Sequence, residues 1–259
     1  MSRRDDDQMT VIEHIAELRK RIIYVLITLV VGLVAGLVAA DPLYQFVISR
    51  PPADTIEYHG FSLWDGIGIY MKFAFVIALS MSLPMAMYHI WAFVSPGLRP
   101  IERKATIKYI PYVFLLFLAG VAFAYFIVFP MAFAFTSNIN QHLGLVETYG
   151  ITQVMAFMFN IILPLGLLFE LPLVVMFLTA IRILNPLRLR KMRRYAYFGL
   201  VLIGVTISPP DLISDFLVSI PLLVLYEVSI MLSSFVYRKQ LKRQQEWENE
   251  FDKGMESVS

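Results

Sequence analysis

The sequence contains no cysteine among its 259 residues and few charged side chains for its length. Without cysteine, disulfide bonds, thiol catalysis and cysteine-ligated metal sites are excluded. Charged residues make up 16% and apolar residues 58%, whereas soluble domains have about 25% and 45–50%. The patterns GxxxxGK[ST], HExxH and GxSxG are also missing. This composition indicates a polytopic membrane protein, and we expect no cofactor, no metal and no enzymatic activity.

Six apolar stretches reach or approach the roughly 20 residues that a helix needs to cross a bilayer. They predict an all-α protein with six spans at Ile22–Ala40, Ile67–Ile90, Tyr109–Phe135, Val154–Ile181, Tyr195–Ile207 and Leu212–Val236. The fifth span has a helical length of only about 20 Å. A tight turn at 208–211 joins it to the sixth, so we expect both to be short. Prolines within or beside the stretches predict kinked helices in a curved wall.

Lysine and arginine are distributed asymmetrically between the segments that connect the spans. Segments 1–21, 91–108, 182–194 and 237–259 hold twenty of these residues, whereas the alternate segments hold only Arg50. Because basic residues favour the cytoplasmic side, both termini are predicted to be cytoplasmic. The chain then divides into an amino-terminal cytoplasmic segment (1–21), a membrane domain (22–236) and a partly disordered cytoplasmic tail (237–259).

Three acidic residues lie within or beside the predicted spans. Glu170 is near the middle of the fourth span, Glu227 is well inside the sixth, and Asp215 is near its outer end. A carboxylate at a helix centre costs about 2.5–3.5 kcal/mol on insertion scales, so it should face protein or water. Two interpretations stay open for Glu170 and Glu227: a hydrogen-bonded packing residue, or a polar patch on a groove that contacts a substrate.

Two further acids stand alone among basic residues in the cytoplasmic segments. Glu17 lies in HIAELRKR, and Glu102 lies among Arg99, Arg103 and Lys104. On a helix Glu17 faces Lys20 and Arg21, and such pairs contribute only a few tenths of a kcal/mol each. From spacing alone, Glu17 is therefore more simply a charge-balancing residue than a binding residue.

Six segments in order along the chain resemble the TatC family of twin-arginine translocase proteins. They read HIAELRKR (14–21), WAFVSPGLRPIERK (91–104), FAYFIVFPMAF (123–133), FELPLVVMFL (169–178), LNPLRLRKMRRY (184–195) and SPPDLISDFLVSIPLLVLYE (208–227). The resemblance implies a receptor in the cell membrane that binds twin-arginine signal peptides at its cytoplasmic face. It also implies export of folded proteins driven by the proton-motive force, with single-span TatA and TatB, or one TatA-like protein, and further copies of the chain as partners.

The resemblance also implies roles for individual residues. Glu17 and Glu102 match the family's twin-arginine recognition acids, and Glu170 matches the intramembrane glutamate on its concave groove. The residues that match the rest of the recognition site are Arg19, Phe93, Pro96 and Arg103. The residues that match the docking region for partner helices are Val205, Thr206, Pro209, Pro210, Asp211 and Asp215.

A secondary transporter that binds a small solute and a coupling ion at Glu170 is the main alternative. It predicts clustered polar groups at mid-depth and broken helices in symmetric halves. The membrane acids are sparse here, and the acids of the cytoplasmic segments stand out instead. An intramembrane enzyme is disfavoured because no nucleophile–base or metal-ligand pattern is present.

Overall fold

The computed structural model describes residues 11–95, 107–208 and 212–256. The described part is almost entirely helical. In chain order its helices are α1 (Val11–Ile48), α2 (Asp65–Val94), α3 (Ile110–Phe123), α4 (Phe129–His142), α5 (Ile151–Leu168), α6 (Leu171–Ala180), α7 (Pro186–Lys191), α8 (Arg193–Ile207) and α9 (Leu212–Glu256). A π-helical segment, Ala124–Val128, links α3 to α4, and short 3₁₀ turns lie at Ala53–Thr55 and Ile107–Tyr109.

Five helical segments among the described residues are long and apolar enough to cross a bilayer. They are Ile15–Ile48, Asp65–Val94, Ile107–His142, Ile151–Ala180 and Asp215–Lys242. The helix predicted as the fifth span is α8, with 15 residues and a length of about 22 Å. The chain is therefore a multi-pass membrane protein, as predicted, and its fifth predicted helix is indeed short.

The expectation of a short sixth helix is wrong, because α9 has 45 residues and continues to Glu256. The apolar stretch ends near Val236, but the helix does not. The Gln240 side chain donates a hydrogen bond of 2.7 Å to the carbonyl oxygen of Ala180, which ties the extension to the end of α6. The segment predicted as a partly disordered tail thus begins as a direct continuation of the membrane helix.

Prolines account for two interruptions of the predicted spans. The π-helical segment precedes Pro130 in the first turn of α4, and the break between α5 and α6 at Phe169–Glu170 precedes Pro172 in the first turn of α6. Proline has no amide hydrogen and its ring crowds the preceding turn, so the regular hydrogen-bond pattern changes there. Glu170 is consequently placed at a helix junction and not within a continuous helix.

The first two helices pack antiparallel with very close backbones. Gly32 lies against Ala78 and Gly36 against Ala74, and a Cβ atom built on either glycine would come within 2.8 Å of the facing alanine's Cα. This small-residue spacing is typical of closely packed membrane helices. The opposite side of α1 is exposed along most of its length, with Val38 82% accessible. The position of α1 therefore depends mainly on α2.

Two clusters of buried side chains hold the remaining helices together. The larger joins α2, α4, α5 and α9 through residues that include Phe129, Met158, Leu165 and Leu222. The smaller joins the end of α2 to α3 and α6 and contains Met87, Trp91, Val113, Leu173, Phe177 and Ile181. The smaller cluster therefore fixes the end of α2 and the start of α3, the helix ends on either side of residues 96–106.

At the opposite end of the bundle, two loops meet in a small parallel sheet. Strand β1 (Tyr58–His59) pairs with β2 (Tyr149–Gly150), so that Tyr58 lies opposite Tyr149. The Tyr58 hydroxyl donates a 2.9 Å hydrogen bond to Ala53 O. Burial, with smaller contributions from Tyr44, Tyr125 and Asp54, raises the pKa of Tyr58 to about 12. We call this end of the bundle, formed by residues 49–64 and 143–150, the distal face.

Candidate functional site

Glu17 lies near the start of α1, at the end of the bundle opposite the distal face. Its Oε1 accepts a hydrogen bond of 3.2 Å from Arg21 Nε and a second one from the Nη2 of the same guanidinium. The Glu17 side chain is 25% exposed and the Arg21 side chain is 20% exposed. The i,i+4 pairing expected from the spacing is therefore formed with Arg21. The carboxylate is also partly withdrawn from solvent, where charged hydrogen bonds are stronger than in bulk water.

The packing of α1 on α2 brings the Glu17 end of α1 beside the last turn of α2. The ring of Tyr24 on α1 stacks on the ring of His89 on α2, with centroids 5.5 Å apart. This contact lies close to the start of α1 and the end of α2. The helices are antiparallel, with Gly32 against Ala78; Glu17 is 15 residues before Gly32 and Phe93 is 15 residues after Ala78, so Glu17 lies level with Phe93, in the last turn of α2. The chain leaves α2 here toward the segment that contains Glu102, and we call this region the proximal site.

The other residues predicted for signal binding divide into two groups. Arg19 is exposed and Phe93 is half-buried in the last turn of α2. Pro96, Glu102 and Arg103 lie outside the described residues. The fold thus positions Glu17 and the helix end that leads into the segment carrying Glu102.

Glu170 occupies the junction between α5 and α6, where it is only 6% exposed. Neither carboxyl oxygen has a hydrogen-bond partner among the described residues, and the side chain does not cap α6. The carboxyl group is therefore neither hydrogen-bonded to another described side chain nor open to solvent. A buried polar group without a partner is costly, so this carboxyl group needs an explanation beyond packing.

Glu227 has partners that the sequence analysis did not identify. Arg193 Nη2 donates a 2.7 Å hydrogen bond to its Oε2, and the Tyr197 hydroxyl donates to its Oε1. Both donors are on α8, one helical turn apart, whereas Glu227 is on α9. The four-residue spacing of Arg193 and Tyr197 places both on one helix face, but nothing in the sequence indicates that this face meets Glu227. Glu227 therefore joins α8 to α9.

The residues predicted for partner docking lie toward the end of α8. Val205 is 41% exposed, and Thr206 is exposed with its hydroxyl bonded to Leu202 O at 2.8 Å. Asp215 accepts a 2.6 Å hydrogen bond from Ser208, which links the start of α9 back to α8. Pro209, Pro210 and Asp211 lie outside the described residues.

These features define a class of protein, a multi-pass helical membrane protein. Within residues 11–95, 107–208 and 212–256, no three His, Asp or Glu side chains are grouped so that they could hold a metal ion. The family described as Sec-independent protein translocase protein (TatC) matches residues 13–221. The chain belongs to the TatC family and is a component of a protein translocase, not an enzyme.

Individual relatives agree with this assignment. The chain is 44% identical to the Sec-independent protein translocase protein TatC of Halalkalibacterium halodurans, covering 96% of this chain and 99% of the relative. It is 43% identical to TatCy of Bacillus subtilis, covering 93% and 95%. A crystal structure of the twin-arginine translocase receptor TatC superposes with a TM-score of 0.71 at 29% identity, covering 86% of this chain and 99% of that one. The resemblance found in the sequence is confirmed, and a small-solute transporter is not supported.

Proposed function

We propose that this chain is the translocase receptor that binds twin-arginine signal peptides, with Glu17 and Glu102 as the recognition acids. The observation that carries the proposal is the antiparallel register of α1 and α2. It places the partly buried Glu17 carboxylate beside the helix end from which the Glu102 segment departs. Two arginines of one peptide require two carboxylates within a short distance, and this arrangement supports that requirement.

The chemistry of the proximal site favours guanidinium as the bound group. Glu17 already accepts two hydrogen bonds from the guanidinium of Arg21, so its environment suits this planar, forked donor. A signal-peptide arginine binds by sharing or replacing that contact. Arg19, Arg103, Phe93 and Pro96 shape the site. Its basic residues disfavour other cationic peptides, which adds selectivity through repulsion.

The finer topology is a further part of the proposal. Six helices cross the cell membrane, with α8 as a shallow fifth crossing, and both termini are cytoplasmic. The strongest support is the concentration of lysine and arginine in alternate connecting segments. A helix of 15 residues spans about 22 Å, less than the bilayer core of about 30 Å, so local thinning accompanies this crossing.

Partner helices dock at two places in this proposal. The buried Glu170 carboxyl group lacks a donor among the described residues, so it can accept a hydrogen bond from a polar group on the signal's helix or a partner's helix that packs at the α5–α6 junction. The exposed face of α8 around Val205 and Thr206, together with Pro209, Pro210 and Asp211, accepts TatA or TatB helices. Assembly with further copies of the chain then supports export of folded proteins driven by the proton-motive force.

A double substitution tests the recognition acids directly. Each charged hydrogen bond contributes about 1.5–3 kcal/mol, so Glu17→Gln with Glu102→Gln should weaken signal-peptide binding on the order of 100-fold or more. The measurement is photo-crosslinking and affinity of a labelled twin-arginine peptide with the purified full-length protein in nanodiscs. The matched control is Glu57→Gln with Glu147→Gln, which removes two acids from the distal face. Wild-type binding by the folded Glu17/Glu102 variant would contradict the assignment.

Salt should weaken the same interaction. The Debye length falls from about 10 Å at 0.1 M to about 3 Å at 1 M, so partly exposed carboxylate–guanidinium pairs lose attraction over this range. We expect the dissociation constant of the peptide to rise steadily with sodium chloride concentration. A twin-lysine peptide serves as the reference for non-specific attraction. An affinity independent of salt would assign the main binding energy to the apolar part of the signal.

A further inference from the structure

The distal face carries large apolar side chains that belong to no membrane span. Phe61, Leu63 and Trp64 are 66%, 99% and 72% exposed. They lie in the segment 60–64, between β1 and the first residue of α2, so the span that begins at Asp65 does not include them. Five consecutive residues in this segment, GFSLW, carry no charge. This is an exposed apolar surface in a loop, where polar residues are the norm.

The segment is held in one conformation by its own hydrogen bonds. The Asp65 Oδ2 atom accepts bonds of 2.8 Å from Phe61 N and 2.9 Å from Ser62 N. The Trp64 amide donates to Ser62 Oγ at 3.3 Å, and the Phe61 ring stacks on His59. These bonds restrain the backbone of the segment, and the Leu63 and Trp64 side chains remain largely exposed.

A cleft lies directly behind this segment, between the end of α1 and the starts of α2 and α5. Its volume is about 460 Å³, and its lining residues are Tyr44, Leu63, Gly66, Ile67, Ile69, Tyr70 and Ile151. The Tyr70 hydroxyl donates to Asp41 Oδ1 at 2.8 Å, so one wall ends in a polar pair. Leu63 belongs both to the exposed surface and to the cleft, which makes the two features continuous.

We propose that this cleft is a phospholipid-binding site, with the segment 60–64 lying in the membrane interface and an acyl chain in the cleft. The segment ends at the first residue of a membrane span, so its depth is that of the lipid headgroups. Tryptophan is enriched at this depth, where its amphipathic ring contacts both lipid and water. An apolar cleft with a polar pair at its edge matches a lipid chain followed by its headgroup. This inference goes beyond signal-peptide recognition and does not depend on it.

Single cysteines test the depth of the segment, because the natural chain contains none. Nitroxide labels are attached to Leu63→Cys and, as a control, to the exposed loop position Glu57→Cys. The full-length protein is then placed in vesicles of phosphatidylethanolamine and phosphatidylglycerol. We expect the label at 63 to collide preferentially with oxygen and the label at 57 with a water-soluble nickel chelate. Equal nickel accessibility at both positions would overturn the proposal. So would spin–spin broadening at 63 or protection from both reagents, because protein would then cover the segment.

A second pair of variants tests occupancy of the cleft. A Cβ atom on Gly66 or on Gly68 would have no neighbour within 4 Å, but only Gly66 lines the cleft. Gly66→Trp should therefore place its side chain in the cleft from an unobstructed Cβ, and Gly68→Trp is its matched control. Native mass spectrometry of the purified protein should show loss of bound phospholipid for Gly66→Trp alone. Wild-type lipid occupancy in Gly66→Trp would refute the site. If the Gly66→Trp protein melts at a lower temperature than the Gly68→Trp control, the same measurement is made on Gly66→Leu.

Discussion

Gly36→Leu should prevent stable folding of the protein, whereas Gly199→Leu should leave it unchanged. A Cβ atom on Gly36 would lie 2.6 Å from both the Cα and the carbonyl oxygen of Ala74, and one on Gly199 would have no neighbour within 4 Å. Side chains can move aside from an added group, but the backbone of a packed helix cannot without separation of the helices. The two variants add the same side chain to different surroundings, so their difference reports the α1–α2 contact.

The expected destabilisation is large because α1 has little other support. Overpacked side chains typically cost about 1–3 kcal/mol, and a backbone collision should reach the upper end of this range or exceed it. The measurements are the amount of monodisperse protein extracted from membranes and its melting temperature. Gly32→Leu should act in the same direction, since its Cβ would lie 2.8 Å from Ala78 Cα.

A second-site change sharpens the test. Ala74→Gly should not rescue Gly36→Leu, because the colliding Cα and carbonyl oxygen remain in glycine. Rescue by Ala74→Gly, or wild-type stability of Gly36→Leu, would mean that the helices do not approach this closely. Because the same contact sets the register of Glu17 beside the end of α2, partial separation should also weaken signal-peptide binding.

The sequence predicted which segments are helical better than it predicted where they end. The first span was expected to stop at Ala40 before Asp41-Pro42, but α1 continues to Ile48 with Pro42 inside it. Val47 is buried, and the ring of Tyr44 contacts Phe73 with centroids 6.5 Å apart. Hydropathy marks where a helix leaves the bilayer core. The helix end depends on such tertiary contacts, which a single sequence does not contain.

For the candidate site residues too, contacts within one helix could be predicted from the sequence, whereas contacts between helices could not. The Glu17–Arg21 pair was predictable because residues four apart share a helix face. The partners of Glu227 were not, since Arg193 and Tyr197 are more than 29 residues away and meet it only when α8 packs on α9. The isolation of Glu170 likewise depends on which neighbours surround the α5–α6 junction. Periodicity identifies a polar residue in an apolar helix, but the contacts that decide its role belong to the fold.

Glu170 and Glu227 should therefore respond oppositely to the same substitution. Glu170→Leu removes two buried oxygens that lack hydrogen bonds among the described residues and should raise stability by about 1–3 kcal/mol. Glu227→Leu removes the acceptor for Arg193 and Tyr197. It should lower stability by about 1 kcal/mol, since that ion pair is partly exposed and partly screened. Melting temperatures of the two purified variants measure both effects.

Matched glutamine variants separate the loss of the carboxyl group from the change in shape. Glu170→Gln keeps a buried polar side chain and should gain no stability, and Glu227→Gln keeps an acceptor and should lose less than Glu227→Leu. Glu170→Leu should also impair export despite its higher melting temperature, because an incoming helix then finds no carboxyl group to donate to. Destabilisation by Glu170→Leu would show that its carboxyl group is hydrogen-bonded within the protein. If the two glutamates respond equally, Glu170 does not differ from Glu227 as proposed, with Glu170 as a binding residue and Glu227 as a residue that joins two helices.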